Sequence, residues 1–173
     1  MTDSERSNVI LIGMPGAGKS TIGVLLAKRL GKAFVDTDLL IQQAEGRTLQ
    51  QIVDHGGHLA LRPIEERELC ALDVRDHVIA TGGSAVYSDR AMRALADHGH
   101  IVYLYVPLPL VEARVTNLGD RGLSKGEDQT LADIYAERTP LYAQYADITV
   151  ECAGLDQEAI VERIRDALAE ASH

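Results

Sequence analysis

The sequence predicts an α/β fold with a parallel sheet covered by helices on both faces. Two observations carry this. Short β-branched apolar runs alternate with helical stretches along the chain, and the first run ends in a glycine-rich turn that leads into a helix. The 173 residues contain no repeat, low-complexity tract or linker, so residues 1–173 are expected to form one domain.

The elements follow in order. Asn8 to Gly13 reads as a buried strand. Lys19 to Leu30 carries Ile22, Leu25, Leu26 and Leu30 at helical spacing, and Gly31 stops it. Ala33 to Asp36 is the second strand. A helix from Leu39 to Ala44 ends at Gly46, and another starts near Thr48 and breaks at Gly56-Gly57. Leu61 to Leu72 is helical, with Pro63 in its first turn. His77 to Ala80 is the third strand, closed by Gly82-Gly83. Asp89 to Ala96 is a helix ended by Gly99, Ile101 to Val106 the fourth strand and Leu110 to Leu118 the next helix. Residues 119–129 are polar, charged and glycine-rich and read as a mobile loop. Leu131 to Tyr145 is helical, with Pro140 expected to kink or break it. Asp147 to Val150 is the last strand, and Gln157 to Ala169 is an amphipathic helix.

Composition excludes several function classes. The apolar share is 46 % and the charged share 25 %, which is globular rather than disordered. Seventeen basic against 26 acidic residues leave a net charge of −9, unfavourable for a nucleic-acid partner. No apolar run approaches the ~18 residues of a membrane span, and MTDSERSN is unlike a signal peptide, so a cytoplasmic location is expected. Cys70 and Cys152 form no CxxC pair and are expected to be buried or half-buried thiols. With no Trp and a single Phe, a ligand pocket must draw on aliphatic, polar and Tyr side chains. The pairs His55/His58 and His98/His100 lack a completing carboxylate or Cys and read as surface histidines. The alternating Tyr103 and Tyr105 share a strand face and read as core packing.

Gly13-Met14-Pro15-Gly16-Ala17-Gly18-Lys19-Ser20 satisfies G-x-x-x-x-G-K-[ST], between a strand and a helix. Glycines let successive backbone N–H groups converge on one anion, and the positive end of the following helix adds to the attraction. Lys19 is expected to reach the β- and γ-phosphates and the Ser20 hydroxyl to ligate Mg²⁺. The nucleotide-holding set is thus Gly13, Gly16, Ala17, Gly18, Lys19, Ser20 and Thr21. The motif predicts a nucleoside triphosphate ligand and leaves the phosphoryl acceptor open.

Asp36-Thr37-Asp38 follows the second strand, where side chains point toward the ligand crevice. One carboxylate can support Mg²⁺ and the other take the proton of an attacking hydroxyl. The same spacing suits a helix N-cap at Asp38. Arg62 and Glu65 stand at i and i+3, a spacing that by itself describes a surface ion pair. Gly82-Gly83 alone would be a turn.

Taken in order, GMPGAGKS (13–20), DTD (36–38), RPIE (62–65), TGGSAV (81–86), the arginine at 121 and ERTPLY (137–142) make the chain resemble the shikimate kinase family. The resemblance spans Val9 to Leu168. It implies a five-stranded parallel sheet of the nucleoside-monophosphate-kinase type and transfer of the ATP γ-phosphoryl group to a hydroxyl of shikimate, a step of aromatic amino-acid biosynthesis. It also implies that Asp38 binds the attacking hydroxyl and acts as base while Asp36 supports Mg²⁺. Arg62 and Arg138 would grip the substrate carboxylate, with Glu65 orienting Arg62. Gly82 and Gly83 would line the substrate site, Gly83 offering its N–H. Arg121 would move in with a lid over residues 117–129, Arg114 would lie against the adenine, and residues 37–66 would form the acceptor region. A guanidinium fits bidentate carboxylate recognition, and phosphoryl transfer needs positive charge with water excluded. Arg121 and Lys125 would otherwise be solvated loop charges.

The chain departs from the family pattern at five places. Ser84 stands for a third glycine, His58 for an acid, Val53 and Leu61 for pocket aromatics, and Gly122 for a lid proline. The acceptor pocket is therefore reshaped, and homoserine or another hydroxy acid is a second candidate acceptor. A non-catalytic ATP-binding regulator is a third reading, opposed by the intact Lys19, Ser20, Asp36 and Asp38. A monomer is expected.

Overall fold

Five strands lie side by side in one sheet, all parallel, in the order β2-β3-β1-β4-β5. They are β1 (Asn8–Ile12), β2 (Ala33–Asp36), β3 (His77–Ala80), β4 (Gly99–Tyr105) and β5 (Ile148–Glu151). Around them run α1 (Lys19–Leu30), α2 (Thr37–Glu45), α3 (Leu49–Gly56), α4 (His58–Ala71), α5 (Asp89–Ala96), α6 (Leu108–Leu118), α7 (Leu131–Tyr145) and α8 (Gln157–Ala171). This computed structural model describes residues 6–118, 125–126 and 128–173. No helix among them is long and apolar enough to cross a membrane.

The central strand dictates the rest. All five residues of β1 are buried, and Ile10 is paired with Ile79 of β3 on one side and Ile101 of β4 on the other. A strand buried on both faces must be apolar throughout, which is why NVILI shows no alternation. A second, smaller apolar cluster of Ile41, Ile52 and Leu61 holds α2, α3 and α4 together beside the sheet edge.

Several boundaries differ from the sequence expectation. α2 begins at Thr37, because the Asp36 side chain accepts from the Asp38 N–H at 2.9 Å and caps the helix. The cap is therefore Asp36, and Asp38 lies in the first turn. α4 starts at His58, directly after Gly57, which puts Pro63 in its second turn. Gly99 does not end a helix; it opens β4 opposite Asn8. Asp147 stands just before β5, where its carboxylate accepts from the Ile101 N–H at 2.8 Å. Pro140 does not break α7. The helix is pinned at its start by a reciprocal Thr130/Asp133 capping box and along its length by buried Ile134, Arg138 and Tyr142, one turn apart. A short 3₁₀ turn at Ala85–Tyr87 follows the glycine pair. Tyr103 is buried as expected, its ring stacked on Tyr142 at 5.1 Å, and Cys152 is buried with Cys70 half-buried.

Candidate active site

The carboxyl ends of β1, β2 and β3 deliver three short segments to one cleft, as open parallel sheets do. From β1 comes the turn 13–18. Gly18 caps α1 with φ 92°, a left-handed conformation that a side chain would strain. Lys19 follows at once. Its buried Nζ donates to the carbonyls of Gly13 (2.6 Å) and Met14 (2.9 Å). Burial pulls the Lys19 amine down to about 8, against the stabilising pull of Asp38.

β2 contributes the acids. Asp36 uses both oxygens: Oδ1 caps α2, and Oδ2 accepts from Ser20 Oγ at 2.7 Å. That bond ties the strand end to the start of α1 and groups a hydroxyl with a carboxylate. Asp38 looks into the cleft. Burial first, and then the neighbouring Asp36, push its carboxyl up to about 6, while Lys19 pulls it back.

β3 contributes Thr81, Gly82 and Gly83. A Cβ on Gly82 would come within 2.8 Å of both Asp38 Oδ1 and Glu65 Oε2, so the backbone here passes between two carboxylates with room for hydrogen only. The cleft bounded by Lys19, Ser20, Asp38, Leu49, Thr81 and Gly82 encloses about 330 Å³. A smaller hollow, bounded by Asp38, Leu61, Glu65, Ser84 and Arg138, adjoins it.

The cationic end is built on α4 and α7. Arg138, 1 % exposed, donates from Nε to the Tyr87 hydroxyl at 3.2 Å. The Arg62 and Arg138 guanidinium carbons lie 4.0 and 5.3 Å from the centre of the Tyr87 ring. Glu65 is buried and accepts from Ser84 Oγ at 2.6 Å through Oε1, while Oε2 has no hydrogen-bond partner among the described residues. Burial raises its carboxyl to about 7; the Ser84 bond acts the other way. The Tyr142 hydroxyl donates to the Gly83 carbonyl at 2.6 Å, anchoring the glycine turn to α7.

On the opposite side of the phosphate turn, Arg114 donates to the Gly16 carbonyl at 3.1 Å. It borders a pocket of about 480 Å³ with Ala17, Asp156, Gln157 and Ile160. Its position beside the turn, away from Asp38, fits a base or ribose better than a phosphoryl acceptor.

The structure thus gathers Gly16, Ala17, Gly18, Lys19, Ser20, Thr21, Asp38, Arg62, Glu65, Gly82, Gly83 and Arg138 along adjoining hollows, with Gly13 and Asp36 bonded to Lys19 and Ser20 and with Arg114 in the pocket on the other side of the phosphate turn. Arg121, Gly122 and most of the anticipated lid lie outside the described residues. The resemblance gives Glu65 the task of orienting Arg62; among the described contacts Glu65 is buried and accepts from Ser84, and the Arg62 guanidinium lies over the Tyr87 ring. Sequence reasoning also missed Tyr87 and Tyr142. The motif TGGSAV runs straight into Tyr87, and ERTPLY ends in Tyr142, so the signal was the placement of tyrosines at motif edges.

Comparison with known proteins adds an independent line. The family model described as "Shikimate kinase" matches residues 15–169. A shikimate kinase of Pseudomonas fluorescens is 39 % identical over 168 residues, covering 94 % of this chain and 96 % of its own. One from Chlorobium chlorochromatii is 40 % identical over 158 residues, covering 85 % and 83 %. Among solved structures, the shikimate kinase of Acinetobacter baumannii in complex with shikimate superposes with a TM-score of 0.88 at 32 % identity, covering 97 % of this chain and 96 % of that one. That of Aquifex aeolicus gives 0.81 at 29 % identity, covering 95 % and 98 %.

Proposed function

The chain belongs to the shikimate kinase family, and we propose that it transfers the γ-phosphoryl group of MgATP to a hydroxyl of shikimate. The observation that carries this reading is the position of Asp38, in one cleft with Lys19 and adjoining the hollow that Arg138 bounds. A triphosphate tail on the glycine turn and an acid between the two guanidinium groups bring a hydroxyl to that carboxylate.

Each residue then has a physical task. The turn N–H groups and Lys19 hold the β- and γ-phosphates, Lys19 exchanging its bonds to Gly13 and Met14 for phosphate oxygens. Asp38 accepts the proton of the attacking hydroxyl as the oxygen–phosphorus bond forms and ADP leaves. Its raised pKa, still below neutrality, suits a base at physiological pH. Arg62 and Arg138 bind the carboxylate, and Gly83 offers its N–H nearby. Ser20 and Asp36 supply the all-oxygen donor set that Mg²⁺ favours, and their 2.7 Å contact makes a cation site here chemically consistent. When bound, Mg²⁺ neutralises charge on the phosphates.

The reaction is tested by coupled ADP release with shikimate or homoserine as acceptor. Turnover with shikimate and not homoserine is the expected result; the reverse would replace the acceptor, and nucleotide binding without turnover on any alcohol would replace the enzyme by a regulator. We further propose a monomer in the cytoplasm, so that sedimentation should return the chain mass of 18.8 kDa.

A further inference from the structure

Tyr87 touches both guanidinium groups that the kinase reading assigns to the acceptor's carboxylate. It closes the 3₁₀ turn Ala85–Tyr87, whose Ala85 and Val86 are buried in the main core. The Tyr87 N–H donates to the Ser84 carbonyl at 3.2 Å. Ser88, the next residue, caps α5 and donates to Glu66 on α4, so the backbone that carries the ring is held on both sides. The two contacts differ in kind. The Arg62 guanidinium carbon lies over the ring, 4.0 Å from its centre. A ring face attracts a planar cation and takes none of its in-plane N–H donors. In keeping with this, the buried Arg62 Nε has no hydrogen-bond partner among the described residues. Arg138 is held at one end, where its Nε donates to the Tyr87 hydroxyl at 3.2 Å. Its other end faces the glycine pair, since a Cβ on Gly83 would meet Arg138 Nη1 at 2.8 Å.

We propose that Tyr87 is a positioning residue for the acceptor acid: its ring and its hydroxyl hold the Arg62 and Arg138 guanidinium groups so that both meet one carboxylate. This rests on the reading that an acid binds between Arg62 and Arg138. Two cations brought to one site repel each other, and two long side chains lose rotamer freedom when a ligand orders them. An aromatic ring in contact with both offsets part of the repulsion and sets the order before the acid arrives. The hydroxyl fixes Arg138 through Nε and so turns Nη1 toward the turn whose Gly83 N–H serves the same ligand. Glu65 keeps the orienting task toward Arg62 that the resemblance gives it. Tyr87 adds a contact to the face of that cation and ties it to its counterpart on α7.

The test measures kcat and the KM values for shikimate and ATP in the parent, Tyr87→Phe and Tyr87→Leu, with the neutral carboxamide of shikimate as a competing ligand. Tyr87→Phe should raise the acid KM about fivefold, the size expected for one lost hydrogen bond. Tyr87→Leu, which also removes the ring, should raise it about thirtyfold, with kcat and the ATP KM within about twofold of the parent in both. The carboxamide offers the two cations no charge, so its inhibition constant should stay within about twofold. An unchanged acid KM in either variant overturns the proposal, and so does an equal rise for acid and carboxamide, which would make Tyr87 only a wall of the pocket. Tyr87→Phe keeps the ring's volume and decides the matter if Tyr87→Leu does not fold. A parent that phosphorylates no hydroxy acid defeats the kinase reading by itself. The same ratios are then read as calorimetric Kd values for shikimate with ADP present; equal values in parent and variants, or no binding by the parent, overturn the positioning role as well.

Discussion

Asp38 owes its chemistry to its neighbours more than to its own position. Asp36 caps the helix, so Asp38 is spared that work and turns toward Lys19 inside a largely buried cleft. Its carboxyl titrates near 6 and the Lys19 amine near 8, which orders the pH response. On the proposed mechanism Asp38 must be ionised and Lys19 protonated. Activity on the acid should therefore rise as pH passes upward through about 6 and fall as it passes through about 8. Asp38→Asn should lower kcat by roughly 10²–10⁴ and abolish the acidic limb, with ATP affinity near that of the parent. Turnover unchanged in Asp38→Asn would remove the base from the mechanism. At this scale the motif residues were legible in the sequence, because phosphate binding and proton transfer demand particular side chains at fixed offsets. Their partners were not. Ser84 lies 19 positions from Glu65 and Tyr87 lies 51 from Arg138, and no local pattern encodes such meetings.

The elements were legible in number and order and less so at their ends. Among the described residues, the sequence pattern located each strand and α-helix but not the 3₁₀ turn at Ala85–Tyr87, whereas caps and tertiary contacts set the boundaries by one to three residues. α7 is the instructive case. Pro140 removes one backbone donor, yet the helix persists because the Thr130/Asp133 box fixes its start and Arg138 and Tyr142 fix its inner face. That face links the cationic end of the site to the glycine turn through the Tyr142 hydroxyl and the Gly83 carbonyl. Tyr142→Phe keeps the ring and deletes the bond. Urea unfolding should show a loss of about 1–3 kcal/mol with an unchanged m-value; parental stability would mean that the carbonyl finds another donor.

At the scale of the whole molecule, alternation of strands and helices gave the parallel sheet, but the order β2-β3-β1-β4-β5 is not written in that alternation. It arises because β1, buried on both faces, takes β3 and β4 as neighbours, leaving the half-buried β2 and β5 for the edges. Both ligands bind only the folded chain, so each should stabilise it by about 2.7 kcal/mol at a hundredfold excess over its Kd. Arg138→Ala should erase most of the acid's increment at the same concentration and keep that of ADP, since the loss of a buried charge pair is worth roughly 2–5 kcal/mol. Equal losses for both ligands would make Arg138 a structural residue. The small cluster of Ile41, Ile52 and Leu61 is separate from the main core under the sheet. Descendants of this chain can thus exchange Leu61, the member of that cluster that lines the hollow beside Asp38, and so vary the fit to an alcohol without disturbing the strands that present the glycine turn. Divergence in taste for one partner is uncoupled from retention of the other.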